Sequence, residues 1–173
     1  RIGDPLDKSI DMGAINSQAQ LDRIKSMLSS CDPSKITTAE TTMPDDGYYH
    51  PPTLIQDVET SDTLMQEEIF GPVLVSTTFR TPSEAVALAN NTRYGLAASV
   101  WSENINLALG MAPKLKAGVV WVNGTNFFDA AAGFGGTKES GFGREGGWEG
   151  LMAYTRPVNV PNETANYSTH KTT

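Results

Sequence analysis

Val73-Leu74-Val75-Ser76-Thr77-Thr78-Phe79-Arg80-Thr81-Pro82-Ser83-Glu84-Ala85-Val86-Ala87-Leu88-Ala89-Asn90 is the stretch whose reading decides the fold. Its first part, Val73 to Phe79, is a nearly continuous β-branched and apolar run that predicts a strand. A helix start follows. Thr81 is a suitable N-cap, Pro82 stands at the first helical position where a missing N–H costs nothing, and Glu84 completes a capping box beside the positive end of the helix dipole. The helix is expected to run to Asn90. Beyond it, Leu96 to Trp101 reads as a second apolar strand, and Ser102 can cap a helix through Ile105, Leu109 and Leu115. Gly118 precedes a third strand, Val119 to Val122. Strands that are apolar on both faces and alternate with helices imply parallel pairing, because a parallel connection needs a crossover long enough to hold a helix. The expected class is α/β, an open, mostly parallel sheet with helices on both faces.

Toward the N-terminus, Ser17 and Gln20 form a second capping-box pattern, and Leu21, Ile24 and Leu28 then fall on one face of a helix ending near Ser30. Residues 1–13 are rich in Asp and Gly without periodicity and read as a loop entering the fold, not as a native start. Asp32 to Pro52 is polar and turn-rich, and Thr53 to Val58 is a short strand candidate. After Asn123 the composition turns Gly-rich and aromatic. Trp148 to Tyr154 suggests a short helix and Arg156 to Val160 an extended strand, with a polar end from Asn162 onward. No internal repeat is visible.

With 173 residues, 39% of them hydrophobic and 19% charged, the chain has a globular composition and enough length for one cored domain with a tail. A formal net charge of -7 argues against nucleic acid as a partner, since affinity for phosphate backbones comes mainly from Lys and Arg. No apolar run approaches the roughly 20 residues that span a bilayer, and nothing resembles a signal peptide. A single cysteine, Cys31, excludes an internal disulfide framework and fits a reducing compartment, cytoplasm or organelle matrix.

Gly141-Phe142-Gly143-Arg144-Glu145-Gly146 matches the spacing G-x-G-x-x-G of dinucleotide-binding loops. That motif works only when a buried strand delivers the first glycine to the pyrophosphate. Here Thr137-Lys138-Glu139-Ser140 precedes it, too polar for a central parallel strand. The Rossmann reading of this loop is therefore set aside.

Several segments taken in order are more specific than any one alone: Gly3-Asp4-Pro5-Leu6-Asp7, Gly47-Tyr48-Tyr49, Glu67-Glu68-Ile69-Phe70-Gly71-Pro72-Val73, Asn90 to Ala98, Ala117 to Asn123, and Phe134 to Glu145. This series resembles the aldehyde dehydrogenase superfamily, from the first residues to about Tyr154. The resemblance implies that residues 1–151 form the C-terminal portion of a catalytic domain and that residues 152–173 hold an oligomerisation strand and a polar tail. It implies an NAD- or NADP-dependent oxidation of an aldehyde to a carboxylic acid through a cysteine thiohemiacetal, with nucleophile and general base both upstream of this chain. Covalent catalysis of this kind splits one difficult step into two.

By the same resemblance, Glu68 binds the nicotinamide ribose hydroxyls, Phe70 packs beside the nicotinamide ring, and Leu96 is a further cofactor-side contact. Phe128 and Phe134 match positions lining the aldehyde tunnel, and Glu145 matches a buried glutamate proposed to relay protons. Gly133 departs from the family pattern, in which proline commonly precedes the Phe-Gly-Gly run, and with Ala130-Ala131-Ala132 it puts the tunnel shape in question. No metal site is expected. Cys31 is not the nucleophile, because it follows the C-terminal end of a helix, where partial negative charge disfavours a thiolate. The strand at 154–160 matches one exchanged across a dimer interface, so the expected partners are another copy of the chain, its own upstream part, and a small aldehyde. The rival expectation is a non-catalytic scaffold half that keeps the fold and the oligomer interface.

Overall fold

The computed structural model describes residues 1–156 and Val158, which divide into two compact units, residues 1–92 and residues 93 onward. The sequence reading placed no boundary at Thr92, because strand and helix alternate on both sides of it without a change in composition. Of the strand expected at 154–160, residues 157, 159 and 160 lie outside the described residues, and residues 154–156 form no strand.

The first unit is built around helix α1, Gln18–Ser29. Ser17, in extended conformation, caps it by accepting a hydrogen bond from the Gln20 backbone N–H at 3.2 Å. Its apolar stripe buries Leu21 and Ile24. Strand β1, Ile36–Thr38, pairs antiparallel with β2, Thr53–Ile55. A short helix α2, Thr63–Gln66, capped by Asp62, leads to β3, Val73–Val75, which pairs parallel with β2 in the register Thr53↔Val73. Ile24 and Ile55 are completely buried and centre a core with Val58, Leu64 and Ile69. Burying each such side chain stabilises by about 1.5–3 kcal/mol. Helix α3, Pro82–Asn90, starts as its sequence requires: the Thr81 side chain accepts from the Glu84 N–H at 3.2 Å.

The second unit holds β4, Ala97–Val100, and β5, Val119–Val122, paired parallel in the register Ala97↔Val119. Between them runs α4, Ile105–Met111, and after them comes α5, Gly147–Ala153. Among its described residues the buried apolar side chains are Val100 and Ala108. Ile105 and Leu109 on α4, and Trp148 and Leu151 on α5, are instead half exposed or more, at 50%, 56%, 71% and 55%. Apolar surface on that scale marks faces built to be covered by other protein.

The α/β class with parallel pairing stands, and strand, helix, strand, helix, strand recurs in order from β3 to β5. Details differ for identifiable reasons. The strands divide into two ladders, three-stranded and two-stranded, so β3 and β4 lie in different sheets. The apolar runs are longer than the paired segments: Val73–Val75 instead of Val73 to Phe79, Thr53–Ile55 instead of Thr53 to Val58, and Ala97–Val100 instead of Leu96 to Trp101. Strand limits are set by where a neighbour offers hydrogen bonds, which hydropathy alone does not record. β1 lay hidden in a polar segment for the same reason, since it exists by pairing with β2.

The cap of α4 is Asn104, whose side chain accepts from the Leu107 N–H at 3.1 Å; Ser102 accepts from the Asn104 N–H instead. The helix stops at Met111 and tightens into a 3-10 turn over Ala112–Lys114, leaving Leu115 outside, because Pro113 lacks the donor and clashes with the preceding turn. No helix among the described residues is long and apolar enough to cross a membrane, and they contain no cluster of metal-ligating side chains.

The start of α3 carries a pH-dependent element. The Glu84 carboxylate accepts a hydrogen bond from the Arg80 backbone N–H at 2.7 Å and pairs with the Arg80 guanidinium at 3.3 Å. The Arg80 backbone N–H, then the Arg80 side chain, hold its pKa below the usual glutamate value. A depressed carboxylate pKa contributes stability that is fully present above the unfolded-state value and is lost as pH falls through the folded-state value. Urea unfolding followed from neutral pH into the acid range is expected to show this loss, and Glu84→Gln is expected to remove that part of the pH dependence. An unchanged acid limb in the variant would rule the contribution out.

Candidate functional site

The structure places Glu68 and Phe70 together on the segment joining α2 to β3. Ile69, between them, points into the core and is 6% exposed, while Glu68 and Phe70 on either side of it are exposed. One side chain anchors the segment and its neighbours are presented. Among the described residues the Glu68 carboxylate accepts no hydrogen bond, so both its oxygens are open to a ligand. With Ile69, Phe70, Gly71 and Val73 it lines an open hollow of about 450 Å³.

Phe70 stands at φ +57°, in the left-handed region. For an aromatic residue this conformation costs on the order of 1–3 kcal/mol and persists only where surroundings over-determine it. The surroundings do so here. From α1, the Gln20 side-chain amide donates to the carbonyls of Ile69 and Phe70, both at 3.0 Å, and the Arg23 guanidinium donates to those of Glu68 and Ile69 at 2.8 and 3.1 Å. Gly71 lets this segment meet α1 closely, because a Cβ there would collide with Ile24 Cδ1. Sequence reasoning missed Gln20 and Arg23 in this role. The capping-box pattern directs Gln20 to the Ser17 N–H, yet its side chain turns to the 69–70 carbonyls. The only signal was a pair of long donors three apart, flanking the apolar stripe of the helix.

The other candidates lie in the second unit. Leu96 is 46% exposed, and its carbonyl accepts hydrogen bonds from the N–H groups of Gly118 and Val119 at 3.1 and 3.2 Å. Phe128 and Phe134 meet edge to face with centroids 5.0 Å apart, and Phe128 meets Trp121 likewise at 5.9 Å. Trp121, which the sequence reading had not singled out, donates its indole N–H to the Phe127 carbonyl at 3.0 Å and fixes the loop that carries Phe128. Such edge-to-face pairs form a rigid apolar wall suited to an apolar ligand. Phe128 remains 66% exposed, so the wall is a surface to be covered and not buried core.

Glu145 is bridged to Phe134 through backbone hydrogen bonds in both directions, at 2.7 and 2.8 Å. Its side chain is exposed, with no hydrogen bond among the described residues. The buried position expected for it is not formed within this chain. Gly133 is half-buried beside α5, where a Cβ would come 3.0 Å from a Glu149 carboxylate oxygen. The G-x-G-x-x-G segment has no strand before it: residues Lys138–Ser140 form a 3-10 turn, and Gly141 follows at φ +109°. That turn is structural. The Ser140 hydroxyl accepts from the Gly95 N–H at 3.0 Å, and the Thr137 N–H donates to the Gly95 carbonyl at 2.9 Å. Cys31 is half-buried after the end of α1, packs against the core of the first unit and has its thiol 3.7 Å from the Asp32 carbonyl.

A bound dinucleotide fits the Glu68–Phe70 arrangement in chemical terms. A free carboxylate offers two acceptors to a pair of ribose hydroxyls, and an exposed ring in a fixed backbone conformation offers a flat face to an aromatic base.

Comparison with known proteins gives these positions a context. The model of the aldehyde dehydrogenase family matches residues 1–160. An aldehyde dehydrogenase of Enchytraeus buchholzi is 41% identical over 161 residues, covering 92% of this chain and 32% of that protein. Betaine aldehyde dehydrogenase of Cereibacter sphaeroides is 38% identical over 162 residues, covering 92% of this chain and 34% of that one. Among solved structures, betaine aldehyde dehydrogenase from Staphylococcus aureus in complex with NAD+ superposes with a TM-score of 0.79 at 37% identity, covering 92% of this chain and 35% of its own. The chain thus spans about a third of the length of the curated relatives it matches. A family match over nearly every residue, joined to these identities and this superposition, means that the chain belongs to the aldehyde dehydrogenase family.

Proposed function

We propose that this chain is the C-terminal portion of the catalytic domain of an NAD(P)-dependent aldehyde dehydrogenase, supplying cofactor-side and substrate-side walls to a site whose nucleophilic cysteine and general base lie upstream. The observation that carries this reading is the Glu68–Phe70 segment: a free carboxylate and an exposed ring, on a backbone held in a costly conformation. The cofactor, when bound, accepts hydride from the substrate carbon. Glu68 would hold it by accepting hydrogen bonds from hydroxyls, and the Phe70 ring would limit the positions open to its base, so that reacting atoms meet in a defined geometry. Phe128 and Phe134 would exclude water from the aldehyde, with Trp121 bracing them. Leu96 would add an apolar contact on the cofactor side, and Glu145 would reach a proton-relay position once upstream sequence covers it. Residues 154–160 would pair with another copy of the chain.

The exposed apolar faces of α4 and α5 support the same reading, since they are what a domain shows when part of it is elsewhere. The test is NAD(P)-dependent oxidation of a simple aldehyde by the full-length protein and by this chain alone at matched concentration. Activity is expected only in the full-length protein, and Cys31→Ser there is expected to leave kcat within about twofold, as for a substitution away from the reacting atoms. Activity in this chain that vanishes with Cys31→Ser would overturn the proposal. Silence in both would favour a scaffold that has kept the fold without the chemistry.

A further inference from the structure

We infer that Gln20 and Arg23 of α1 are positioning residues for the cofactor segment: they set the conformation of residues 68–70 through its backbone, and so fix where the Glu68 carboxylate and Phe70 ring stand. The inference rests on the reading of Glu68 and Phe70 as cofactor contacts. Four hydrogen bonds run from these two side chains to three consecutive carbonyls, Glu68, Ile69 and Phe70, at 2.8 to 3.1 Å. A stretch of three residues whose carbonyls are all taken by side chains of one helix is not held by sheet pairing, and the β3 ladder begins only at Val73.

The geometry divides the work. The single amide nitrogen of Gln20 spans Ile69 and Phe70, the peptide units on either side of the Phe70 Cα, so it constrains the φ and ψ that place Phe70 at +57°. One guanidinium nitrogen of Arg23 spans the carbonyls of Glu68 and Ile69, the peptide units on either side of the Ile69 Cα, and so holds the backbone directly after Glu68. Both donors leave the helix beside Ile24, which is completely buried against this segment and sets the distance. Without Gln20 the strained residue can relax toward ordinary φ values, and the ring swings away from the hollow. Without Arg23 the backbone that carries Glu68 is less restrained. In both cases groups that bind cofactor must be reordered on binding, which weakens affinity without touching the chemical step.

Gln20→Met keeps length and volume while removing the amide that makes both hydrogen bonds, and Arg23→Met removes the guanidinium while keeping an apolar stem. In the full-length protein each is expected to raise KM for NAD(P) about fivefold to twentyfold, the range of one or two lost hydrogen bonds, with KM for the aldehyde and the unfolding midpoint nearly unchanged. Arg23→Lys, which keeps a donor, is expected to recover part of the loss. Amide hydrogen exchange of the peptide containing residues 67–73, measured without cofactor, is expected to rise in Gln20→Met and Arg23→Met while exchange in β2 stays constant. A KM rise with unchanged exchange would overturn the inference in favour of direct contact between these side chains and the cofactor. Unchanged KM and exchange would overturn it outright. Faster exchange at 67–73 in a protein whose KM ignores Glu68→Gln would uphold the positioning and sink the cofactor reading of the segment instead.

Discussion

On the proposed cofactor role of Glu68, Glu68→Gln in the full-length protein is expected to raise KM for NAD(P) about tenfold or more and to leave KM for the aldehyde unchanged. The magnitude follows from what the substitution removes. An ionised carboxylate accepts through two oxygens, and a hydrogen bond to a charged acceptor contributes about 1.5–3 kcal/mol. Glutamine keeps one neutral acceptor and presents an amide donor where the carboxylate had its second. In this chain the Glu68 carboxylate accepts no hydrogen bond among the described residues, so no internal partner is orphaned by the change and folding stability should hold. Initial-rate kinetics with the cofactor varied at saturating aldehyde, set beside a thermal unfolding curve, separate the two effects. A KM within twofold of the parent value would remove Glu68 from the cofactor site.

A second large effect is expected at Gly118, and it falls on stability. A Cβ at Gly118 would collide with the Gly135 carbonyl oxygen and lie 2.7 Å from the Gly135 carbonyl carbon and 3.2 Å from that of Gly136. All three are backbone atoms, so no side chain can swing aside. The Gly118 N–H is meanwhile shared between the carbonyls of Gly95 and Leu96 at 3.0 and 3.1 Å, which pins the glycine at the entry to β5. Gly118→Ala therefore has to push the 134–136 loop off the strand, with an expected cost of about 3 kcal/mol, the upper range for overpacking. The unfolding midpoint in urea should fall accordingly. Phe134 begins that loop and Leu96 accepts from Gly118, so both candidate contacts should be displaced and activity reduced beyond the unfolded fraction. A shift under about 1 kcal/mol would mean that the loop does not rest on β5 in solution.

The helix starts were legible because capping is a local code. Ser17, Thr81 and Pro82 act within one turn, and each took its expected place. Asn104 displaced Ser102 because two capping residues stood two apart and only the tertiary path of the chain chose between them. Among site residues, Phe128 and Phe134 were named separately from family resemblance, and their edge-to-face contact follows from a loop closure that hydropathy cannot record. Trp121 and the pair Gln20 and Arg23 escaped notice because their partners are backbone carbonyls, and every residue type supplies one.

The sequence by itself determined the alternation of strand and helix, the caps of α1 and α3, the reading of the Gly-rich segment as no phosphate loop, and the family. These rest on side-chain type and spacing, which are local. Tertiary structure decided that the strands form two ladders, that Glu145 stands exposed in this chain, and that Phe70 is forced into the left-handed region by donors nearly fifty residues away. Those depend on which backbone groups meet across space, and the free energy of that pairing belongs to the folded chain and not to any segment of it.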